Sequence, residues 1–296
     1  MKRLSQRISP LILLHGFFIA FFGAALAWQV RADQQEVKGN IVSIGGSVTE
    51  IVYALDQQHR LIARDSTSLY PPEAAVLPDV GYMRALSPEG VLSVGPELVI
   101  AEAGAGPANA VDVLRKSSIP YVDVPEVYSP DGVIDKIRIV GDALAVPDAA
   151  AALATRVEAD LNAAVEKVAA QPAGNKRVLF VLTTRGGRIM AGGLGTSADA
   201  IISLSGGENV IRSFEGYKPV TEEAIAAAQP DVILMMARGG NHSSSNEDLW
   251  AMPALSETPA AQNDAVVRID GLLLLGFGPR TPEAISALHS ALLEGS

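Results

Sequence analysis

Apolar positions along this chain come in two alternating kinds of segment. Short, mostly apolar runs, Ile41-Val42-Ser43-Ile44, Leu98-Val99-Ile100-Ala101 and Val232-Ile233-Leu234, read as buried strands. Further strands are expected over 60–64, 120–124, 177–183 and 266–269. Between them, helices are marked by their starts. Ser87-Pro88 and Ser129-Pro130 each place a cap before a helix-opening proline. Helices are also expected over 107–116, from 129 to about 145, near a cap at Thr196 or Ser197, and after Thr281-Pro282. Ser47 with Glu50 three residues on fits a capping box for a helix carrying Ile51, Val52 and Leu55. Gly186 to Gly195 reads as a glycine-rich turn. The alternation of strand and helix predicts an α/β fold with parallel sheets.

One segment is different in kind. From Asp148 to Ala170 the chain is rich in Ala, Leu, Glu and Lys, with Leu153, Val157, Leu161 and Val165 four apart. It predicts a single helix roughly 35 Å long at about 1.5 Å per residue, enough to span two lobes. Gln171-Pro172-Ala173-Gly174 ends it, and Pro147 interrupts the pattern before it. Either side of this helix the chain repeats itself. Ser87-Pro88-Glu89 through Gly95-Pro96-Glu97-Leu98-Val99-Ile100 aligns without gaps on Thr221-Glu222-Glu223 through Gln229-Pro230-Asp231-Val232-Ile233-Leu234, at a constant offset of 134. Two α/β lobes, residues 37–146 and 175–296, joined by a linking helix over 147–171, follow from the repeat. Two lobes imply a cleft.

Charge and composition narrow what the cleft holds. Lys2, Arg3 and Arg7 precede an apolar stretch from Leu11 to Ala27, broken only by His15, so residues 1–32 read as a secretory signal peptide. A membrane anchor is the alternative, but the stretch is short for one. Without those residues the chain carries 19 basic against 33 acidic side chains, a balance of −14, which argues against nucleic acid. The chain has no cysteine, which excludes disulfides, thiolate metal sites and cysteine nucleophiles. Gly193-Leu194-Gly195-Thr196-Ser197-Ala198 has the GxGxxA spacing of a dinucleotide loop but lacks the acid about twenty residues on that would hold a ribose. Phosphate-loop, nucleophile-elbow and HExxH motifs are missing, so an enzyme is the weaker reading. His59 and His289 read as solvated and His242 as a loop histidine, too scattered for a zinc site. Met83, Met190, Met235 and Met236 read as packing.

The distinctive chemistry is in Gly81-Tyr82-Met83-Arg84-Ala85-Leu86-Ser87-Pro88-Glu89. In extended or turn backbone, residues two apart project to one side, so Tyr82 and Arg84 can address one bound group, and a ferric ion suits a phenol oxygen. A buried tyrosine beside a surface arginine is the alternative.

This turn, the run Ile41-Val42-Ser43-Ile44-Gly45-Gly46-Ser47-Val48-Thr49-Glu50, Gly206-Gly207-Glu208-Asn209-Val210 and Phe214-Glu215-Gly216-Tyr217-Lys218-Pro219 together resemble the haem-binding periplasmic proteins of bacterial ABC haem importers. The resemblance covers nearly all of residues 37–293. It implies two Rossmann-like lobes joined by one interdomain helix, as in the helix-linked binding proteins that also serve cobalamin and ferric siderophores. It implies that Tyr82 ligates ferric haem as a phenolate, a hard oxygen suited to Fe(III), with Arg84 supporting the phenolate or a haem propionate. Where some relatives have a second-lobe histidine ligand, this chain reads Thr184-Arg185-Gly186-Gly187. Arg185 and Arg238 are therefore expected as propionate or phenolate partners, and Tyr82 as the strong ligand. The resemblance further implies a monomeric periplasmic carrier without catalysis, docking on an inner-membrane ABC permease dimer through Glu89 and Glu208. A ferric-siderophore or cobalamin carrier is the alternative.

Overall fold

The computed structural model describes residues 39–184, 187–237 and 245–294. The expected signal peptide, Arg185, Arg238 and His242 lie outside them. The first sheet has four parallel strands, β1 (Ile41–Ile44), β2 (Leu61–Arg64), β3 (Leu98–Glu102) and β4 (Tyr121–Val124), in the order β2-β1-β3-β4. The central strands β1 and β3 are buried at every position because helices cover both faces, while the edge strand β4 exposes Asp123. The helices of this half are α1 (Gly46–Ala54), α2 (Pro88–Ser93), α3 (Ala108–Lys116) and α4 (Pro130–Ala143). Ser87 and Ser129 cap α2 and α4, each accepting a bond from the amide three residues on.

Next comes α5 (Pro147–Ala170), 24 residues and roughly 36 Å long. Pro147 is its first residue, where a missing amide proton costs nothing. The helix packs on α4 of the first lobe and on α9 (Thr281–Glu294) of the second. Its buried stripe is Ala150, Leu153, Ala154, Val157, Leu161 and Ala164, while Val165 is exposed. A spacing of four drifts about 40° per step on a helix turning about 100° per residue, so by the fourth position the seam has passed to Ala164. Gly141 lets α4 approach closely, since a β-carbon there would strike Ala150.

The second sheet has six strands. β5 (Arg177–Thr183), β9 (Val232–Ala237) and β10 (Val266–Asp270) are parallel, and β6 (Ile189–Gly192) and β8 (Tyr217–Val220) extend the other edge antiparallel. The two-residue β7 (Glu208–Asn209) pairs parallel with β5 after the crossover through α6 (Ser197–Leu204), as β2 pairs with β1 after α1. It stays short because β6 occupies the rest of that edge. β6 begins inside the stretch expected to be a turn. The repeat is reproduced in full: α2 and α7 (Glu222–Ala228), then β3 and β9, start 134 residues apart. Gly95 and its counterpart Gln229 both take left-handed backbone, φ 69° and 45°, where helix gives way to strand. Three short helices, Asn246–Trp250, Pro253–Ser256 and Pro259–Gln262, add Leu249, Leu255 and Ala260 to this sheet's core.

Two expectations fail here. Gly45, not Ser47, is the N-cap of α1 and makes no side-chain cap bond. The buried Glu102 carboxylate abuts that helix start instead, so close that a β-carbon on Gly45 would lie 2.6 Å from the Glu102 β-carbon. Ser47 donates to Glu102 Oε1 at 2.5 Å, inside the helix rather than capping it. His289 is fully buried on α9, with Nδ1 3.1 Å from the Ser205 carbonyl, which fixes the proton on Nδ1.

Residues 272–280 join the lobes. They include the end of α8 (Gly271–Leu275) and the loop to α9. Lys136 of α4, 1% exposed, pairs with Glu102, donates to Ser47 Oγ at 3.0 Å and crosses the seam to the Gly276 carbonyl at 3.2 Å. Phe277 meets Tyr128 with ring centroids 5.3 Å apart, and Leu272 fills the space that Gly46 leaves open. A buried ammonium and carboxylate hold only as a pair. Lys136→Ala is therefore expected to cost about 3–5 kcal/mol in urea unfolding, and Lys136→Met with Glu102→Leu less than the two single changes summed. A Lys136→Ala protein as stable as wild type would show that the pair is solvated.

Candidate functional site

In an open parallel sheet the loops after the carboxyl ends of the strands form the ligand crevice. Here these loops meet along the seam between the lobes. From the first lobe come Asp65–Tyr70 after β2, Ala103–Gly106 after β3 and Pro125–Tyr128 after β4; from the second comes the segment after β10. The turn carrying Tyr82 lies among the first three. Gly106 accepts from Leu86 at 2.7 Å and donates to Met83 at 2.8 Å, and Ser66 donates to the Gly81 carbonyl at 2.9 Å.

Met83–Ala85 is one turn of 3₁₀ helix, closed by Ala85 N–H to Tyr82 C=O at 2.8 Å. Its apolar anchor is Met83, 6% exposed, against which the Thr67 hydroxyl lies 3.9 Å from Sδ. Anchoring Met83 turns its neighbours outward. Tyr82 is 49% exposed and Arg84 is exposed, so the tyrosine is not the buried one of the alternative reading. Gly81, at φ +102° with open space where a side chain would be, supplies the left-handed residue the turn requires.

Around this pair the cleft is polar and partly dry. Burial pushes the Glu126 carboxyl up, and Glu102 adds to it, while the Tyr128 hydroxyl, Lys136 and Arg84 act the other way. Tyr128 donates to Glu126 at 3.0 Å, and burial with that neighbouring acid raises its own phenol far above the ordinary range. Tyr217 of the second lobe also acts on Tyr128, and its hydroxyl is 3.1 Å from Ser197 Oγ. Leu69 and Tyr70 are exposed on the rim. The Arg280 guanidinium of the second lobe lies 3.4 Å over the Tyr70 ring and donates to Glu50 Oε2 at 2.9 Å, while its amide donates to Oε1 at 3.1 Å. Glu50 is thus a seam residue, not a cap.

Of the dinucleotide-like glycines, Gly195 supplies a left-handed turn residue at φ 70° and Gly193 serves packing. A β-carbon on Gly193 would strike the Phe214 carbonyl, and Thr196 caps α6 by accepting from Asp199. His59 is exposed and His289 buried. Among the described residues no three His, Asp or Glu converge on a metal-sized site. Glu89 and Glu208 are both exposed, one at the start of α2 and one in β7. Reading the sequence alone misses Glu126, Tyr128, Tyr217 and Arg280. Of these, Tyr217 lies in one of the runs that carry the family resemblance, and Arg280 is a basic residue just ahead of the Thr281-Pro282 helix start.

This arrangement, two lobes with a polar cleft at the strand ends and one helix packed on both, has known counterparts. Residues 41–272 match the family described as periplasmic binding protein. The chain belongs to that family. Among solved structures, this binding protein resembles the periplasmic haem-binding protein BhuT, solved in complex with two haems, with a TM-score of 0.82 and 41% identity over 86% of this chain and 98% of that one. The periplasmic haem-binding protein RhuT from Roseiflexus sp. RS-1, in apo form, gives 0.83 and 35% over 87% and 99%. The vitamin B12-binding protein of Vibrio cholerae is 26% identical over 253 residues, 85% of this chain and 88% of its own length. Family and neighbours are binding proteins. Among the described residues no helix is long and apolar enough to cross a membrane.

Glu50 makes the seam sensitive to pH. Burial lifts its carboxyl above the usual value of 4.5, because lost hydration outweighs the two bonds from Arg280. Above 4.5 the folded state then holds a proton that the unfolded state has lost, so the contribution of Glu50 to stability falls as pH rises through its folded value. Relative to Glu50→Gln, whose amide stays neutral, the wild-type urea midpoint should decline from pH 4.5 upward and then level. A difference between the two proteins that does not change with pH would place the Glu50 titration at its unfolded value.

Proposed function

We propose that this protein captures ferric haem in the cleft between its lobes and delivers it to an ABC permease in the inner membrane, without chemical turnover. The observation that carries this reading is the 41% identity, over 98% of its length, to a binding protein solved with two haems. The site supports it. Tyr82 presents a half-exposed phenol from a turn anchored on both sides, and a phenolate oxygen is a hard ligand suited to Fe(III). Arg84, two residues on and exposed, suits a propionate or the phenolate. Arg185 and Arg238 are proposed as further propionate partners. Residues 1–32 are proposed as the signal peptide that exports a monomer to the periplasm. A cobalamin cargo is the second reading, favoured by the relatives that carry that name at 26% identity.

The absorption spectrum after mixing with ferric haem separates the readings. Tyr82→Ala is expected to abolish or greatly weaken haem binding while the protein melts as wild type does, since an exposed turn side chain contributes little to the core. Arg84→Ala should bind haem more weakly and lose it at a higher pH during acid titration. An unaltered haem spectrum in the tyrosine variant would sink the assignment.

Docking is proposed to rest on one acid from each lobe, Glu89 with Glu208. The internal repeat offers a second partner for Glu89: Glu223 lies 134 residues on, at the matching position of α7, and both are exposed. Their carboxyls are held below the usual range, Glu89 mainly by the Ser87 hydroxyl and Glu223 by its own backbone amide and then Thr221, so both are fully charged at neutral pH. Charge reversal at an interface acts strongly on association. Glu89→Lys with Glu208→Lys, and Glu89→Lys with Glu223→Lys, should both bind haem normally, and the pair that forms the docking surface should fail to deliver it to permease-containing vesicles. Normal uptake by both double variants would move docking to other residues.

A further inference from the structure

Among the described residues no side chain hydrogen-bonds the Tyr82 hydroxyl, so its position follows from the backbone that carries it, held on one side by buried Met83. What sets that backbone is the residue before it. The Gly81 amide donates to Asp79 Oδ1 at 2.8 Å and the Gly81 carbonyl accepts from Ser66 at 2.9 Å, so both polar groups of the left-handed glycine are fixed from outside the turn. Asp79 is in turn held by Arg64, the last residue of β2. Arg64 is 7% exposed, and its Nη1 donates to Asp79 Oδ2 at 2.6 Å and to the Asp65 carbonyl at 3.1 Å. Nη2 reaches the Ala75 carbonyl at 3.0 Å. The backbones of the two residues are also bridged, with Arg64 N–H to Pro78 C=O at 2.9 Å and Val80 N–H to Arg64 C=O at 3.0 Å.

The next residue, Asp65, is fully buried and accepts four bonds, from Gly45 N–H, Thr67 N–H, Thr67 Oγ1 and Ser68 Oγ. Ser68 continues through Thr49 at 2.6 Å to Ser43 at 2.7 Å, which ties the loop to β1 and α1. The end of β2 is therefore rigid. A rigid strand end that grips an aspartate, which grips the amide ahead of an exposed phenol, transmits its position to that phenol. Such an investment is more than a surface loop needs, since Asp79 itself is exposed.

Resting on the ferric-haem reading above, we infer that Arg64 and Asp79 are positioning residues for Tyr82, setting the phenol oxygen where it meets the iron and so how slowly the ligand leaves. Removing a group that orients a metal ligand weakens metal binding by about 10–100-fold. Asp79→Ala frees the Gly81 amide and leaves Arg64 unpaired. Asp79→Asn keeps the acceptor for Gly81 but loses the charge.

The test uses full-length protein loaded with ferric protoporphyrin IX, with release followed into excess apomyoglobin and the phenolate-to-iron charge-transfer band recorded before release. Asp79→Ala should release haem at least about ten-fold faster, with a shifted or weakened band, and Asp79→Asn should fall between it and wild type. Melting curves separate this from loosening of the whole lobe. If Asp79→Ala does not fold, faster release from Asp79→Asn alone sustains the inference. Wild-type release and an unaltered band in the folded variants overturn it. Tyr82→Phe, run alongside, distinguishes the two failures. Haem retained with the same band in Tyr82→Phe refutes ligation by Tyr82, whereas haem lost there but held normally by the Asp79 variants refutes only the positioning role.

Discussion

A buried charge needs an opposite charge and a full set of hydrogen bonds, or it is expelled. Lys136 meets that requirement only where both lobes are present. Its ammonium has Glu102 and Ser47 within the first lobe and the Gly276 carbonyl from the second. Glu102 in turn sits against the start of α1, where the helix dipole favours an anion, and Gly45 and Gly46 are glycines because Glu102 and Leu272 occupy the space of their side chains. The start of α1, the end of β3, α4 and the 272–280 segment thus converge on one ion pair. The cleft loop that carries Glu126 and Tyr128 runs directly into α4.

The repeat explains why the lobes are alike and where they part. Cap, helix, left-handed residue and strand recur at a fixed offset because each is dictated locally by a hydroxyl, a proline or a small run of apolar residues. Departure begins on the far edge of β5. There an antiparallel pair, β6 and β8, takes the position that β2 holds in the first lobe and leaves β7 only two residues. The first lobe keeps its full-length edge strand, and it is the end of that strand, Arg64 and Asp65, that braces the turn of Tyr82. The brace under the Tyr82 turn is a natural outcome of that difference.

What the sequence made legible follows the same division between local and distant causes. Strands β1, β3, β5 and β9, the long helix and the exposed turn of Tyr82 all announce themselves in a few consecutive residues. Lys136 could not be read, since a lysine in an amphipathic helix looks solvated and one of its partners is a backbone carbonyl 140 residues away. Glu50 was misread for the same reason: Ser47-x-x-Glu50 satisfies a local rule, but the carboxylate is claimed from across the seam. His289 reads as the polar face of a helix, yet the side of α9 that carries it packs toward α5 and α6, and the exposed positions are Glu283, Ala287 and Glu294. The strand β6 was hidden because its glycine-rich surroundings favour a turn until an antiparallel neighbour supplies the missing bonds.

The segment 272–280 completes groups that lie far ahead of it in the chain. Glu50 and Arg280 are 230 residues apart in sequence. A chain made from its amino end therefore presents a first lobe whose buried acid and lysine are short of partners until residues 272–280 have been added. Closure must wait for a very long loop to form, and contacts of that separation form slowly. During that interval the first lobe is open at the face that will become the cleft. The finished shape is thus a late event in the life of the molecule, set when residues 272–280 arrive.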